Sequence, residues 1–236
     1  MANAVLLNNI DHRDLRVDVR RVRGLGDEVM FAPTFPAEFR NLQAHYPIVF
    51  AKTPTGTSFQ PVALFGLHEG QNLFLAGGTW DATYLPLAIE RQPFLIGTME
   101  GEPVVHIDLD SPRVGVASGE PLFLEHGGTT ALLERANSML LALHDGFQAT
   151  PAFVAMVVEL DLLESFVLDI QLPDGSQNRM AGFYTINEER LAKLAASELE
   201  RLHSAGYLEA VFMAVASLSN FRALIERVGR VDAADR

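Results

Sequence analysis

The hydrophobic pattern of this chain changes its period near Thr129, and this change constrains the fold more than any other feature of the sequence. Before it, apolar residues alternate with polar ones or form short runs bounded by Gly and Pro, which is typical of strands joined by turns. After it, apolar residues recur every three or four positions, as on one face of a helix. Segregated strands and helices predict an α+β fold, strand-rich over 1–128 and helix-rich over 129–228.

The N-terminal part contains several candidate strands separated by short turns. Because strands so close together in sequence pair as meanders, a mostly antiparallel sheet is predicted, with the helix-rich part packed on it. In the first strand, Arg16, Asp18 and Arg20 alternate with apolar residues and predict a charged outer face. A short helix is expected from Trp80 to Glu90, and 111–128 is expected to be a long loop. The predicted strands are 15–20, 48–51, 59–65, 72–76, 94–98 and 104–108.

The helix-rich part begins with two predicted helices. An apolar stripe follows Thr129, and Gly146 is the predicted end of this first helix. Thr150-Pro151 is typical of the start of a new helix, with an N-cap residue followed by proline at the first helical position. We therefore expect a helix break between Gly146 and Thr150.

A hairpin and two further helices complete the predicted elements. The hairpin spans 167–186, with its turn at Pro173-Asp-Gly-Ser176. Thr185 and Glu188 have the spacing of a capping box that introduces a helix. This helix is expected to end at Gly206, because glycine tolerates the left-handed conformation of helix ends, and a single last helix follows.

Composition restricts the classes of protein to which the chain can belong. Its 236 residues, 48% of them hydrophobic, suffice for a sizeable core, and we expect one domain across 1–236. The net charge of −12 argues against nucleic acid and against an anionic membrane as partners, because both attract clustered Lys and Arg. The lack of cysteine excludes disulfides, thiolate metal sites and a cysteine nucleophile.

The sequence predicts a cytoplasmic location. The first nine residues lack the basic segment and the apolar run of a secretory signal peptide. No window approaches 18 uncharged apolar residues, so no transmembrane helix is predicted. The absence of cysteine fits a reducing compartment. Export to the surface by a signal-less system leaves no mark in a sequence and stays open.

Three sequence phrases carry a resemblance to a known family. In their order and spacing they resemble the bacterial SapC family over roughly 40–225. The resemblance supplies no catalytic signature, because the family has no established catalytic residues. The phrases are Arg40-Asn-Leu-Gln-Ala-His-Tyr-Pro-Ile-Val-Phe50, Ile107-Asp-Leu-Asp-Ser-Pro-Arg-Val114 followed by Gly119-Glu-Pro-Leu-Phe123, and Gly182-Phe-Tyr-Thr-Ile-Asn-Glu-Glu189.

The resemblance implies an accessory role in a bacterial envelope or nutrient-uptake system. The family is named after a protein associated with a paracrystalline surface layer (S-layer). Similar proteins tend to be encoded beside TonB-dependent receptors, flavin-dependent halogenase-like proteins and cupin-type oxygenase-like proteins. The implied function is a non-catalytic protein that binds a protein partner, such as a TonB-dependent receptor or a halogenase-like flavoprotein. A structural surface-layer protein is an alternative. A homo-oligomer is also open, since the helical part can bury an apolar stripe against a second copy or against its own sheet.

The densest charged group in a loop-rich stretch consists of Asp108, Asp110, Arg113 and Glu120. Loops held by a rigid scaffold often carry binding sites, and the planar fork of Arg113 is suited to gripping a carboxylate. These residues are therefore the first candidates for a partner-binding site. The alternative is an internal network of salt bridges that holds the long loop in place.

Trp80, Tyr84 and Arg91 are the second candidate site, as the lining of a pocket near that loop. An aromatic side chain beside an arginine suits stacking against a ligand. The same residues also suit an ordinary edge of the hydrophobic core. Both interpretations stay open at the level of sequence.

A metal site is a further alternative, centred on His106 and Asp108. Residues two apart on a strand point to the same face, and a histidine with a carboxylate supplies two of the three ligands of non-haem iron oxygenases. The downstream candidates for the third ligand are His126, His144 and His203. An Fe(II)-dependent oxygenase thus competes with a non-catalytic protein that needs no cofactor, and a hydrogen-bonded pair on the strand is the simpler interpretation.

Overall fold

The structure, a computed structural model, describes residues 3–76, 78–171 and 177–234. It contains 34% helix and 26% strand, with antiparallel sheets, a strand-rich N-terminal half and helices in the C-terminal half. The predicted α+β class is confirmed. The predicted hairpin turn at 173–176 lies outside the described residues.

The secondary-structure elements are named in chain order. The strands are β1 (Ala4–Leu6), β2 (Arg16–Val17), β3 (Phe31–Pro33), β4 (Ile48–Lys52), β5 (Phe59–Leu64), β6 (Leu75–Ala76), β7 (Thr79–Trp80), β8 (Phe94–Met99), β9 (Glu102–Asp108), β10 (Glu120–Pro121), β11 (Leu163–Gln171) and β12 (Gln177–Ile186). The helices are α1 (Phe39–Leu42), which follows a 3-10 turn at Pro36–Glu38, α2 (Leu87–Glu90), α3 (Ala131–Glu159), α4 (Glu188–Ala192), α5 (Ala196–Ser204), α6 (Leu208–Ser217) and α7 (Asn220–Ala234).

The largest sheet joins strands from both parts of the chain, in the order β11-β12-β4-β5-β3. At the junction, Phe183 of β12 pairs with Ala51 of β4, and Tyr184 pairs with Phe50. The C-terminal hairpin therefore extends the N-terminal sheet edge to edge. One face of this sheet is covered by helices, since Phe153 of α3 stacks on Phe50 with 6.3 Å between the ring centroids.

A second sheet, in the order β1-β9-β8, lies against the first half of α3. Phe94 and Ile107 of this sheet form a separate apolar cluster with Leu133, Ala136 and Met139 of the helix. The second half of α3 packs on the main core instead. One helix thus connects the two apolar clusters and fixes the two sheets relative to each other.

The predicted helix break between Gly146 and Thr150 is wrong, because α3 runs without interruption and contains Pro151. Gly146 is a position of close approach and does not end the helix. A Cβ atom there would lie 2.3 Å from the ring of Phe35. Thr150 is buried, and its hydroxyl donates to the carbonyl of Gly146 at 2.7 Å. The helix continues because apolar residues on both sides of this point are buried in the core.

Several other local predictions also differ from the structure. Thr185 lies buried in β12, and the N-cap of the next helix is Asn187, whose side chain accepts from the backbone of Arg190. The predicted last helix is divided at Leu218 into α6 and α7. The predicted helix before Gly206 is divided into α4 and α5, and Gly206 follows the end of α5 with φ of +74°, as expected. Short capping and break signals are weaker than the packing that surrounds them.

Two helical stretches are long and apolar enough to cross a membrane by length and composition alone. They are α3 and Leu208–Val228, with mean hydropathies of 1.2 and 1.4, and 28% and 33% of the residues in their most apolar windows are buried. The criterion applied to the sequence, a window of 18 uncharged apolar residues, selects neither stretch, because each contains charged residues. This is weak evidence for a membrane span, since core helices of other proteins meet the same measure. The absence of a transmembrane helix stays a prediction.

Candidate functional site

Arg113 lies in the interior of the molecule. Its side chain is fully buried and is held in a salt bridge of 2.5 Å to the carboxylate of Asp27. Its guanidinium also donates to the carbonyl oxygens of Asp18 and Arg20, at 3.0 and 2.6 Å. Of the two interpretations of the charged loop, the internal salt bridge is the one that the geometry shows for this residue. The guanidinium is not accessible to a partner.

Asp27 is the centre of this buried network. Its side chain is fully buried, and Nη1 of Arg21 lies 3.5 Å from its other carboxylate oxygen. Arg21 also donates to the carbonyls of Ile89 and Glu90, at 3.1 and 2.7 Å, and burial lowers the pKa of its guanidinium. Sequence reasoning missed Asp27, because a single aspartate between Gly26 and Glu28 resembles any loop residue. The network ties the N-terminal segment to α2 and to the loop that carries Arg113.

The predicted charged outer face of the first strand is wrong for Asp18. This residue is 4% exposed, and its carboxylate accepts from Nε and Nη2 of Arg20, at 3.0 and 2.5 Å. The hydrogen bond from Arg20 lowers the pKa of Asp18. The reason is that β2 covers only Arg16–Val17, so the alternation of the strand ends before Asp18.

The remaining members of the charged group are not gathered at one place. One carboxylate oxygen of Asp108 accepts from the backbone of Asn3 at 2.9 Å and of Asp110 at 3.2 Å, which closes the turn after β9. Asp110 and Glu120 are exposed. Glu120 begins β10 and borders a cleft. Of the group, Arg113 is therefore structural, and Glu120 lies where a partner can reach it.

Trp80 and Tyr84 belong to an aromatic cluster around Tyr46. The indole nitrogen of Trp80 donates to the hydroxyl of Tyr46 at 2.7 Å, and this hydroxyl donates to the carbonyl of Tyr84 at 2.5 Å. Trp80 also stacks on Phe74, with 6.0 Å between the centroids. Burial raises the pKa values of Tyr46 and Tyr84. This arrangement matches the core-edge interpretation of both residues.

The arginine beside this cluster is not the one that the sequence indicated. Arg91 donates to the carbonyl of Phe94 at 2.7 Å and so holds the start of β8. The guanidinium of Arg227, on α7, lies 4.3 Å from the ring centroid of Phe74. It also pairs with Asp81 at 2.5 Å. An aromatic–arginine contact therefore exists, as predicted, but it joins Arg227 to Phe74, which are far apart in the chain.

Glu38 is a buried carboxylate that sequence reasoning did not select. It is 2% exposed and accepts from the hydroxyl of Thr34 at 2.6 Å, from the hydroxyl of Tyr84 at 3.1 Å and from the backbone of Leu87 at 2.8 Å. Burial raises the pKa of Glu38. Its position at the start of a helix looks like an ordinary first-turn acid, so the sequence carries no signal of its burial.

The structure does not bring a third ligand to His106 and Asp108. The ring of His106 lies against Gly97, where a Cβ atom would be 2.2 Å from Cε1, and its buried Nδ1 has no hydrogen-bond partner. Among residues 3–76, 78–171 and 177–234, no three His, Asp or Glu side chains are placed to hold a metal ion. His144 contacts Gln148 on its own helix, with 2.6 Å between the two Nε2 atoms. The iron site therefore has no geometric support in this part of the chain.

A cleft of about 430 Å³ lies between the first turns of α3 and the segments that carry Arg21 and Glu120. We call it the α3 cleft. Its walls include the apolar side chains of Phe94 and Met139. The charged side chains that line it are Arg21, Glu90, Glu120 and Arg135.

The charges of the α3 cleft differ in how far they are already engaged. Arg21 is 10% exposed and is held by backbone carbonyls, and Glu90 forms a salt bridge with Arg135. Arg135 itself is 68% exposed and Glu120 is also exposed, so both can meet a partner. A cleft with apolar walls and a few polar groups at its rim is typical of binding sites. Of the described residues that line the cleft, none is a His, Ser or Tyr of the kind that forms a nucleophile–base pair.

Comparison with known proteins identifies a family. The model of the SapC family matches residues 7–224. No curated protein and no solved structure matches the chain. The matched stretch includes all three phrases that carry the resemblance, with buried Tyr46, Arg113 and Phe183 among them. Since the family model covers most of the 236 residues, the chain belongs to the SapC family.

Proposed function

We propose that this SapC-family protein is a non-catalytic accessory protein of a bacterial envelope or TonB-dependent nutrient-uptake system. It acts by binding a protein partner, which is a halogenase-like flavoprotein if the protein stays in the cytoplasm, as its sequence predicts, and a TonB-dependent receptor if a signal-less system exports it. The partner binds at the α3 cleft. The observation that supports this proposal is the combination of apolar walls with exposed Glu120 and Arg135 at the rim.

The state of the other charged residues favours binding over catalysis. Arg113 and Asp27 are fully buried and neutralise each other. Glu38 is enclosed by three hydrogen-bond donors. Charges that are paired inside the protein hold its shape. Glu120 and Arg135 are exposed at the cleft, and although Arg135 also pairs with Glu90, both can steer and orient a partner.

The proposal involves no cofactor, and metal analysis tests this part of it. The protein is purified aerobically and then loaded with Fe(II), and bound iron is measured in the wild type and in His106→Ala. We expect no stoichiometric iron in either protein. Stoichiometric iron that disappears in His106→Ala would support the oxygenase instead.

A crosslinked pull-down from the native host, read by mass spectrometry, tests the partner and the cleft together. The baits are the wild type, Glu120→Arg and Arg135→Glu. We expect the wild type to recover the receptor or the flavoprotein, and each variant to recover about tenfold less, as for a loss of ~1.4 kcal/mol of binding free energy. The reason is that each change reverses a charge at the rim and creates repulsion with the partner.

Glu189→Arg is the matched control, because this side chain is 89% exposed and lies on α4, outside the lining of the cleft. It should recover the partner as well as the wild type does. Equal recovery by the two cleft variants would show that the cleft is not the binding site. Recovery of the bait alone would contradict the accessory role, and an ordered lattice of the protein at the cell surface would favour the surface-layer alternative.

A further inference from the structure

The second half of α3 and the part of α6 that follows Glu209 carry long uncharged stretches. No Asp, Glu, Lys or Arg occurs in 146–158 or in 210–221. Between the two helices lies a groove of about 370 Å³, which we call the α3–α6 groove. Its lining includes Phe35, Gly146, Ala149, Ala210 and Met213.

Phe212 stands beside this groove with half of its side chain exposed to solvent. It lies on α6 three residues after Glu209, which lines the groove, so these two side chains are neighbours on the surface of the helix. Exposed Ala142, Ala149 and Ala152 continue the apolar surface on α3. A contiguous apolar surface with a groove and a projecting aromatic ring is typical of an interaction site.

The charges at the border of the groove are self-complementary. Arg40 and Glu209 both line it, form a salt bridge of 3.1 Å, and are 73% and 60% exposed. A two-fold rotation through this border places Arg40 of one copy opposite Glu209 of the other, and the reverse. The net charge of −12 makes two copies repel at long range, and an uncharged centre of the contact adds nothing to this repulsion.

We propose that the α3–α6 groove is the interface of a homodimer. Phe212 of each copy enters the groove of the other, and the Arg40–Glu209 pairs cross the interface at its border. A lipid surface fits less well, because helices that lie on membranes carry Lys and Arg beside their apolar face. The charged residues that flank the uncharged stretch of α3 are Asp145 and Glu159.

Sedimentation velocity over the micromolar range is the first test. We expect the wild type to sediment with twice the monomer mass of 25.9 kDa, and Phe212→Glu to be monomeric over the same range. Circular dichroism establishes that the variant is folded, which its exposed position favours. Ile10→Glu is the matched control, because Ile10 is 84% exposed and is not part of the groove. It should remain dimeric.

Mixing two charge-reversed variants distinguishes pairs that cross the interface from the pair within one chain. Arg40→Glu has two acidic groups at the border, and Glu209→Arg has two basic groups. Each alone should dimerise at least tenfold more weakly than the wild type, whereas an equimolar mixture should form a heterodimer. In the mixture, opposite charges face each other only between chains. If the salt bridge acts only within one chain, the mixture should therefore not recover dimerisation.

Three outcomes would overturn the homodimer. The first is a wild-type protein that is monomeric throughout the range, and the second is a dimer that survives Phe212→Glu. The third is a monomer that binds phosphatidylcholine vesicles in a manner abolished by Phe212→Glu, which would assign the surface to a lipid. The test is separate from that of the partner site, because different residues line the groove and the α3 cleft.

Discussion

At the scale of single residues, the most consequential contact is the buried salt bridge between Arg113 and Asp27. Two charges that are fully removed from water stabilise each other only as long as both are present. The partners are 86 positions apart in the chain. The contact therefore holds a distant loop to the N-terminal segment, and its loss is expected to affect the whole fold.

The first prediction concerns this pair. Arg113→Met should lower the free energy of unfolding by about 3–5 kcal/mol, because the carboxylate of Asp27 stays buried with only the more distant Arg21 nearby. The double variant Arg113→Met/Asp27→Leu should lose less than the single variant, since the fully buried carboxylate is gone and Arg21 keeps its hydrogen bonds to the carbonyls of Ile89 and Glu90. Urea unfolding measures both values. Arg222→Met, at a side chain that is 89% exposed and pairs only with the exposed Glu226, is the control and should have a smaller effect. A double variant that is no more stable than Arg113→Met would contradict this account.

The second prediction concerns the pH dependence of stability at Glu38. Burial raises its pKa above the ordinary value of 4.5. The folded protein therefore binds a proton more readily than the unfolded chain does. Between the ordinary and the raised pKa, the contribution of Glu38 to the free energy of unfolding decreases as pH rises. Above the raised pKa this contribution is constant.

Urea unfolding of the wild type and of Glu38→Gln from about pH 4 to about pH 8 checks this sign. The free energy of the wild type minus that of the variant should fall with rising pH. Glu189→Gln removes one negative charge at an exposed position and serves as the control. A difference between wild type and Glu38→Gln that rises with pH would mean that hydrogen bonds from Thr34 and Leu87 outweigh the effect of burial.

At the scale of secondary-structure elements, α3 organises the molecule. Its first half packs on the small sheet and its second half on the main core. The sequence predicted its apolar stripe correctly but ended it at Gly146. A glycine allows both a helix end and a close approach between elements, and only the ring of Phe35 decides between them here.

The third prediction follows from that close approach. Gly146→Ala gains up to ~1 kcal/mol of helix propensity. It should nevertheless lower the free energy of unfolding by about 1–3 kcal/mol, because the new Cβ atom overlaps the ring of Phe35. Combination with Phe35→Leu should cost less than the sum of the two single changes. Thermal and urea unfolding measure these values, and Ser138→Ala, at an exposed site of the same helix, is the control. A stabilised Gly146→Ala would mean that the ring moves aside freely.

At the scale of the whole molecule, elements were predictable and their partners were not. The period of the apolar residues depends on neighbours in sequence, so β4, β5, β8, β9 and both strands of the hairpin were identified. The pairing of β12 with β4 was not, because nothing local records which strands meet at Phe183 and Ala51. The main sheet is a product of this long-range pairing, and the second sheet needs the equally distant pairing of β1 with β9.

The candidate site divides in the same way. Glu120 was selected from the sequence and lies at the α3 cleft. The other charged residues of the cleft were not selected, and only the fold brings them there: Arg21, Glu90 and Arg135. Arg113 was selected for the same reason as Glu120, namely its place in a charged loop, yet it is fully buried. The sequence does not indicate whether a charged residue is buried, since burial depends on residues from elsewhere in the chain that pack around it.

The sequence by itself determined the α+β class, the order of most elements and the resemblance to the SapC family, because these depend on composition and on local spacing. Tertiary structure alone decided that Arg113 and Asp27 form a buried pair, that Glu38 is a buried acid and that α3 continues through Gly146. It also decided that Phe212 is half exposed, next to Glu209 at the border of the α3–α6 groove. The physical reason is that packing and electrostatic pairing are set by distances in space, and a linear chain does not record those distances.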